Sequence, residues 1–315
     1  MKIGIIGAGA MGCVYGAILG DAANEVWLVD IWKRHIEAIQ KNGLRVEGAS
    51  GDRVVKVSAT TDPKQSGPCD LVIVATKAMD TETAVRSALP MISSQSLVLT
   101  IQNGIGNGER MERLIGATNL FVGIAEGFGA SIVKPGHVHH NGWEMIHLGE
   151  LVGTITDRLR QLAAAWKAAG FNVSVHEDIR SVIWGKLICN IGFSAICTVT
   201  GLRIGQVLNN PDAWSVSKSC VLETVALAKA KHIKLPYDNP LAAVHEFGAK
   251  IPKARPSMLL DLDLGKPSEI DSLNGAVARE AEALGIPAPV NEVMTRLVKA
   301  MEDRRRTLGK PYGVV

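Results

Sequence analysis

The chain has 315 residues, 47 % of them apolar and 21 % charged, and its 34 basic and 31 acidic residues give a formal net charge of +3. That length can bury a substantial core and supports two domains, the composition is that of a folded globular chain rather than a disordered one, and basic residues spread along the chain leave no footprint for nucleic acid. Five cysteines, at 13, 69, 189, 197 and 220, form no C-x-x-C and cannot all be paired, which fits a reducing, cytoplasmic compartment.

The chain opens KIGIIGAGAMG. Lys2 before an apolar stretch imitates a signal peptide, but glycines interrupt the run within a few residues, and no later segment is expected to reach the roughly 18 apolar residues that cross a bilayer. Ile3 to Ile6 suit a buried strand and Met11 to Leu19 a helix, so Gly7, Gly9 and Gly12, spaced G-x-G-x-x-G, fall at the junction. In that context Gly7 allows the tight turn, Gly9 admits a pyrophosphate, and Gly12 lets the helix pack closely on the strand, with the helix N-terminus facing the anion. Gly7, Gly9, Ala10, Met11 and Gly12 are therefore candidate cofactor contacts.

A second strand, Glu25 to Val29, ends at Asp30, eighteen residues after Gly12, where a carboxylate can bond a ribose 2'-hydroxyl. Asp30 also repels a 2'-phosphate and so favours NADH over NADPH. Lys33 and Arg34 follow at once; they can pair with a phosphate, although basic residues opening a polar helix are more often solvated.

Onward, a helix is predicted from Lys33 to Asn42, short strands at Leu44 to Glu47 and Arg53 to Ser58, a buried strand in CDLVIVATK ending at Lys77, a helix from Asp80 to Ala88, and a strand in SLVLTIQNG. Alternating strands and helices with right-handed crossovers predict a Rossmann-type, doubly wound parallel sheet, whose ligands sit beyond the C-terminal strand ends. Lys77 and Asn103 lie at two such ends and are expected to point toward the same crevice as the glycine turn. Residues 120–148 read as a meander closing this domain. Its His137, His139, His140 and His147 invite a metal reading, but no carboxylate or cysteine spacing completes a site, and polar strand positions are the better account.

After a helix from Thr156 to Ala169 and a last strand, Phe171 to Val175, strand signals nearly vanish. Long helices follow, Asp178 to Val199, Asp212 to Lys231, Ile270 to Leu284 and Asn291 to Arg305, so residues 1–176 form the α/β domain and 177–315 an all-α domain, with a cleft expected between them. The run Arg304-Arg305-Arg306 reads as a solvated helix end. The helix Asp212 to Lys231 has more apolar face than one domain covers, which points to a homodimer.

In SVIWGKLICNIGFSAICTVTG, Lys186, Asn190 and Ser194 recur every four residues, and each step of four turns about 40° around a helix, so the three make one polar stripe on an apolar element. Desolvation lowers a lysine's pKa and suits it to donate a proton. The alternative is a lysine that snorkels to the surface. In RPSMLLDLDLGKPSEIDSLNG, Ser268 and Asp271 have the form of a capping pair, Ser257 reads equally as a helix starter, and Glu269 as a first-turn acid.

The glycine turn, Lys77, QNG at Gln102 to Gly104, WGKL...N at Trp184 to Asn190, and PSML.D......EID..NG at Pro256 to Gly275 together resemble the ketopantoate reductase family along nearly the whole chain. The resemblance implies an NAD(P)H-dependent oxidoreductase that reduces a small 2-oxo acid without a metal. It implies that Lys186 is the general acid that protonates the carbonyl oxygen, that Glu269 binds a substrate hydroxyl and helps the site close, and that Asn103 contacts cofactor and substrate. It further implies substrate contacts at Asn190, Ser194 and Ser257 and a cofactor contact at Lys77. A cationic donor stabilises charge that exists chiefly in the transition state.

The chain departs from the family pattern twice: Ser194-Ala195-Ile196-Cys197 stands where N-P-L-T is common, and Asp30-Ile31-Trp32 where an arginine near position 31 is common. Related enzymes of this fold reduce other branched or aromatic 2-oxo acids with NADH. Ketopantoate is the leading substrate expected, with another 2-oxo acid, a 3-hydroxy acid dehydrogenase activity, or a non-catalytic cofactor-sensing regulator as the alternatives; no membrane partner is expected.

Overall fold

The computed structural model describes residues 1–151 and 153–308. They fall into two compact units: residues 1–102 with 107–179, and Asn103–Gly106 with the residues from Arg180 onward.

The first unit contains, in chain order, β1 (Lys2–Ile6), α1 (Ala10–Asp21), β2 (Glu25–Val29), α2 (Lys33–Asn42), β3 (Leu44–Gly48), β4 (Arg53–Val55), β5 (Ser58–Thr60), β6 (Leu71–Val74), α3 (Thr81–Ala88), β7 (Leu97–Thr100), α4 (Asn107–Ile115), β8 (Leu120–Glu126), β9 (Gly129–Lys134), β10 (His137–Gly142), β11 (Met145–Glu150), α5 (Asp157–Ala168) and β12 (Val173–His176). The main sheet runs β12-β11-β8-β7-β6-β1-β2-β5. From β8 to β5 every pairing is parallel, and β11 joins β8 antiparallel. This is the doubly wound order of a dinucleotide-binding sheet with an antiparallel edge.

Strand apolarity follows from burial on both faces. Ile3 and Ile5 pack with Val14, Ala17 and Ile18 of α1, whereas Ile6, Val72 and Val74 pack with Val85 and Ala88 of α3 on the opposite side. In-register pairing of Ile6 with Val29 and Val74, and of Val74 with Thr100, brings these strand ends to one edge.

The expected meander is not one. β8 and β11 stay in the main sheet, while β9 and β10 leave it for a second sheet ordered β4-β3-β10-β9. The reason is a non-local pairing: β10 runs parallel to β3, with Val138 opposite Val46, both fully buried.

The second unit contains α6 (Ile179–Thr200), α7 (Ile204–Asn209), α8 (Pro211–Ala230), α9 (Pro240–Lys250), α10 (Ser257–Asp263), a 3-10 turn (Ile270–Ser272), α11 (Asn274–Ala283) and α12 (Pro289–Leu308). Its core is built from α6 residues such as Leu187, Ile188, Ile191 and Phe193 packed with Val221 and Leu227 of α8, Val277 of α11 and Val298 of α12. Contrary to expectation, α6 is long and apolar enough to cross a membrane by length and composition, with 22 residues; 72 % of its most apolar window is buried, so the burial of a core helix accounts for its apolarity. The expected helix from Ile270 is broken, because Leu273 adopts φ −109° and ψ −106° between the 3-10 turn and α11.

Two further readings need correction. Ser268 Oγ accepts the Ile270 N–H at 3.3 Å, but the Asp271 carboxylate turns to Lys299 at 2.8 Å rather than back, so no reciprocal capping pair forms. Arg305 is not simply solvated: it donates to the Asp263 carbonyl at the end of α10.

Candidate active site

In the first unit the glycines divide into two kinds. Gly7 turns the chain with φ +97°, and a Cβ there would lie 2.7 Å from Thr76 N; a Cβ at Gly12 would lie 2.0 Å from Gly7 O. The chain's own packing requires both. A Cβ at Gly9, by contrast, would meet no heavy atom of the described residues within 4 Å, so they leave the space above Gly9 open. Gly9 caps α1, and the first-turn amides that follow, at Ala10 and Met11, have no intrahelical acceptor. Open space over amide donors at a helix N-terminus fits a pyrophosphate.

The neighbouring strand ends carry the other candidates. Gly7 N–H donates to Val29 O at 2.8 Å, tying the turn to β2. Asp30 Oδ1 accepts the Trp32 N–H at 2.9 Å, which fixes the carboxylate. Lys77 leaves β6 half-buried and opens a short 3-10 turn. That turn is braced by Gln102, the first residue of QNG, whose Nε2 donates to Thr76 O at 2.9 Å and whose Oε1 accepts from Thr100 Oγ1 at 3.0 Å. Nothing in the spacing of QNG announces this role for Gln102; its burial and its bonds to Thr76, Thr81 and Thr100 are tertiary facts.

Asn103 belongs with the second unit. Lys186 Nζ donates to Asn103 Oδ1 at 2.9 Å, and Asn103 Nδ2 donates to Glu269 Oε2 at 3.3 Å. The amide's orientation is chemically forced, since an ammonium only donates and a carboxylate only accepts. Lys186 is half-buried and engaged inward rather than snorkelling, and Glu269 is only 7 % exposed.

A backbone latch holds this bridge. Gly104 has φ +85° and a Cβ there would lie 2.3 Å from Ser272 O, while Ile105 N–H donates to that same oxygen at 3.3 Å. The 3-10 turn that starts after Glu269 therefore also seats the loop carrying Asn103. Sequence reasoning missed Ser272 because its contribution is a carbonyl, which no residue type announces.

The remaining stripe residues lie on the same continuous helix as Lys186. Asn190 is half-buried and Ser194 is 5 % exposed. Ser257 is exposed at the first position of α10, whose N-cap is Pro256; the structure does not bond Asn190, Ser194 or Ser257 to the Lys186–Asn103–Glu269 bridge.

The histidines differ: His147 lies 2.9 Å from Glu126 and 2.8 Å from His176, whereas neither ring nitrogen of the buried His140 has a hydrogen-bond partner among the described residues. Contrary to the sequence reading, a carboxylate also sits beside the other two: Glu47 lies 2.9 Å from His137 Nε2 and 3.4 Å from His139 Nδ1 across the β3–β10 pair, and the bond from His139 holds the Glu47 carboxyl below its usual range. Among the described residues no cluster of three or more His, Cys, Asp or Glu has metal-binding geometry.

Residues 3–153 match the model of ketopantoate reductase PanE/ApbA, and residues 178–302 match its C-terminal counterpart. The chain belongs to the ketopantoate reductase family. Members of this family are NAD(P)-dependent oxidoreductases. A 2-dehydropantoate 2-reductase from Archaeoglobus fulgidus is 30 % identical, with 96 % of this chain and 98 % of that one aligned. A PanE/ApbA family ketopantoate reductase structure from Ralstonia eutropha superposes with TM-score 0.90 at 35 % identity, covering 97 % of this chain and 100 % of the other. The ternary structure of D-mandelate dehydrogenase with NADH and anilino(oxo)acetate superposes with TM-score 0.90 at 27 % identity, over 97 % and 100 % of the two chains.

Proposed function

We propose that this protein reduces a small 2-oxo acid to the 2-hydroxy acid at the expense of a reduced nicotinamide dinucleotide, with ketopantoate the leading substrate. The observation that carries the reading is the Lys186–Asn103–Glu269 bridge, in which a half-buried ammonium is held in place by a neutral amide rather than quenched by it.

When bound, the reduced nicotinamide supplies the hydride to the carbonyl carbon. Negative charge then grows on the carbonyl oxygen, and Lys186 Nζ stabilises it and delivers the proton. Asn103 aims that ammonium and holds Glu269, whose buried carboxylate accepts a hydrogen bond from a substrate hydroxyl. Asn190, Ser194 and Ser257 contact the substrate. Gly7, Gly9, Ala10, Met11 and Gly12 hold the pyrophosphate, and Lys77 the neighbouring part of the cofactor. Asp30 binds the ribose and disfavours a 2'-phosphate, so NADH is the preferred donor; Lys33 and Arg34, both exposed at the start of α2, are the groups that would favour NADPH instead. Five free, buried cysteines support a reducing, cytoplasmic setting.

A second reading, reduction of another branched or aromatic 2-oxo acid, is favoured by the short hydroxyl of Ser194 and by the likeness to an NADH-bound D-mandelate dehydrogenase. A spectrophotometric panel crossing NADH and NADPH with ketopantoate, 2-oxoisovalerate and benzoylformate separates the readings. The expected result is the highest kcat/KM with NADH and ketopantoate. Higher kcat/KM with benzoylformate moves the assignment to the second reading, and a preference for NADPH overturns the role given to Asp30.

A further inference from the structure

Beside Asp30 stand two large apolar side chains that packing does not account for: Ile31 is 96 % exposed and Trp32 41 %. Trp32 is nevertheless held in place. Its indole lies against the His35 imidazole, with centroids 4.8 Å apart and planes 13° from parallel, and its backbone N–H is bonded to Asp30.

His35 is fully buried, and its partners dictate its tautomer. Gly136 N–H donates to Nδ1 at 3.1 Å, so the neutral ring carries its proton on Nε2, 3.3 Å from Cys13 Sγ. Cys13 in turn donates to Ala8 O at 3.2 Å, inside the glycine turn. A second proton on the ring would oppose the Gly136 N–H, and burial also holds the imidazole below its usual pKa. One braced path thus runs from the glycine turn through Cys13 and His35 to the indole.

An aromatic ring fixed on one face has little motion left to lose, so its other face binds a flat group at low entropic cost. We propose that Trp32 is a stacking ledge for the adenine of the dinucleotide, with His35 the positioning residue beneath it. The inference rests on the dinucleotide reading of the glycine turn. A carboxylate at the end of β2 meets the ribose 2'-hydroxyl in such sheets, and adenine is bonded to the adjacent carbon of that ribose, so the base lies beside Asp30. Ile31 and Trp32, which follow Asp30 directly, are large apolar side chains exposed there, and Trp32 is aromatic.

The test titrates ADP-ribose, which lacks the nicotinamide, into the full-length protein and follows both tryptophan fluorescence and heat. Wild-type protein is expected to bind with quenching. Trp32→Ala is expected to lose most of the quench and to bind about tenfold more weakly, in keeping with the usual worth of base–aromatic stacking, while Trp32→Phe recovers most of the affinity without the quench. Unchanged affinity in Trp32→Ala beside normal wild-type binding overturns the ledge and leaves the dinucleotide reading standing. Neither heat nor quenching in the wild type overturns both.

Discussion

At the scale of single residues, the proposed chemistry rests on the bond from Lys186 to Asn103. Asn103 is uncharged, so its own bond orients the ammonium without neutralising it, and its other end donates to Glu269. Lys186→Ala is therefore expected to lower kcat by about 10²- to 10⁴-fold, the usual worth of a positioned proton donor, while ADP-ribose affinity stays at the wild-type value. Steady-state kinetics beside calorimetry checks both halves; wild-type turnover in the variant refutes the acid role. The stripe of Lys186, Asn190 and Ser194 was legible from spacing alone because a continuous helix converts a period of four into a face. Whether the lysine turned inward was not legible, since its partner lies 83 residues away.

At the scale of elements, the loop after β7 carries the heaviest constraint. The chain exits the sheet at Thr100, Gln102 clamps the turn that follows β6, and from Asn103 the backbone rests on Ser272. Gly104→Ala meets two obstacles, a left-handed φ of +85° and a Cβ 2.3 Å from a carbonyl oxygen, and the backbone must shift. The expected cost is about 1–3 kcal/mol of stability, with a fall in kcat as Asn103 is displaced and no change in ADP-ribose binding. Urea denaturation and single-turnover rates measure the two effects. The QNG triplet was visible in the sequence, yet the surface it docks on was not. Likewise the strands of residues 120–148 were expected, but that β9 and β10 would leave the main sheet, with β10 pairing to β3, was not, because a parallel partner more than ninety residues distant leaves no local pattern.

For the whole molecule, acid is the informative perturbation. His35 and His140 are fully buried, and burial holds both imidazoles below their ordinary value of 6.5. In the unfolded chain they protonate near that value, so below it the unfolded state binds the extra protons and the fold loses stability; above it both states are neutral and nothing changes. Glu47 acts in the same sense at lower pH, its depressed carboxyl favouring the fold until it is protonated. Thermal unfolding followed from pH 8 to pH 5 is expected to show a level Tm down to about 6.5 and a decline below it. A Tm that stays level to pH 5 shows that these rings are protonated or solvated in the fold.

By itself the sequence determined the glycine turn, the acid at the end of the second strand, the change from alternating strands to helices, and the spacing of the polar stripe. Each of these is a local signal, set by side-chain periodicity and by residues whose backbone freedom is unusual. Tertiary structure alone decided which carbonyl seats Gly104, which amide faces Lys186, which strands leave the main sheet, and why an apolar helix of membrane-spanning length lies mostly buried in a helical core. Those outcomes depend on groups distant in the chain meeting at hydrogen-bond or van der Waals distance, and only the folded backbone brings such groups together.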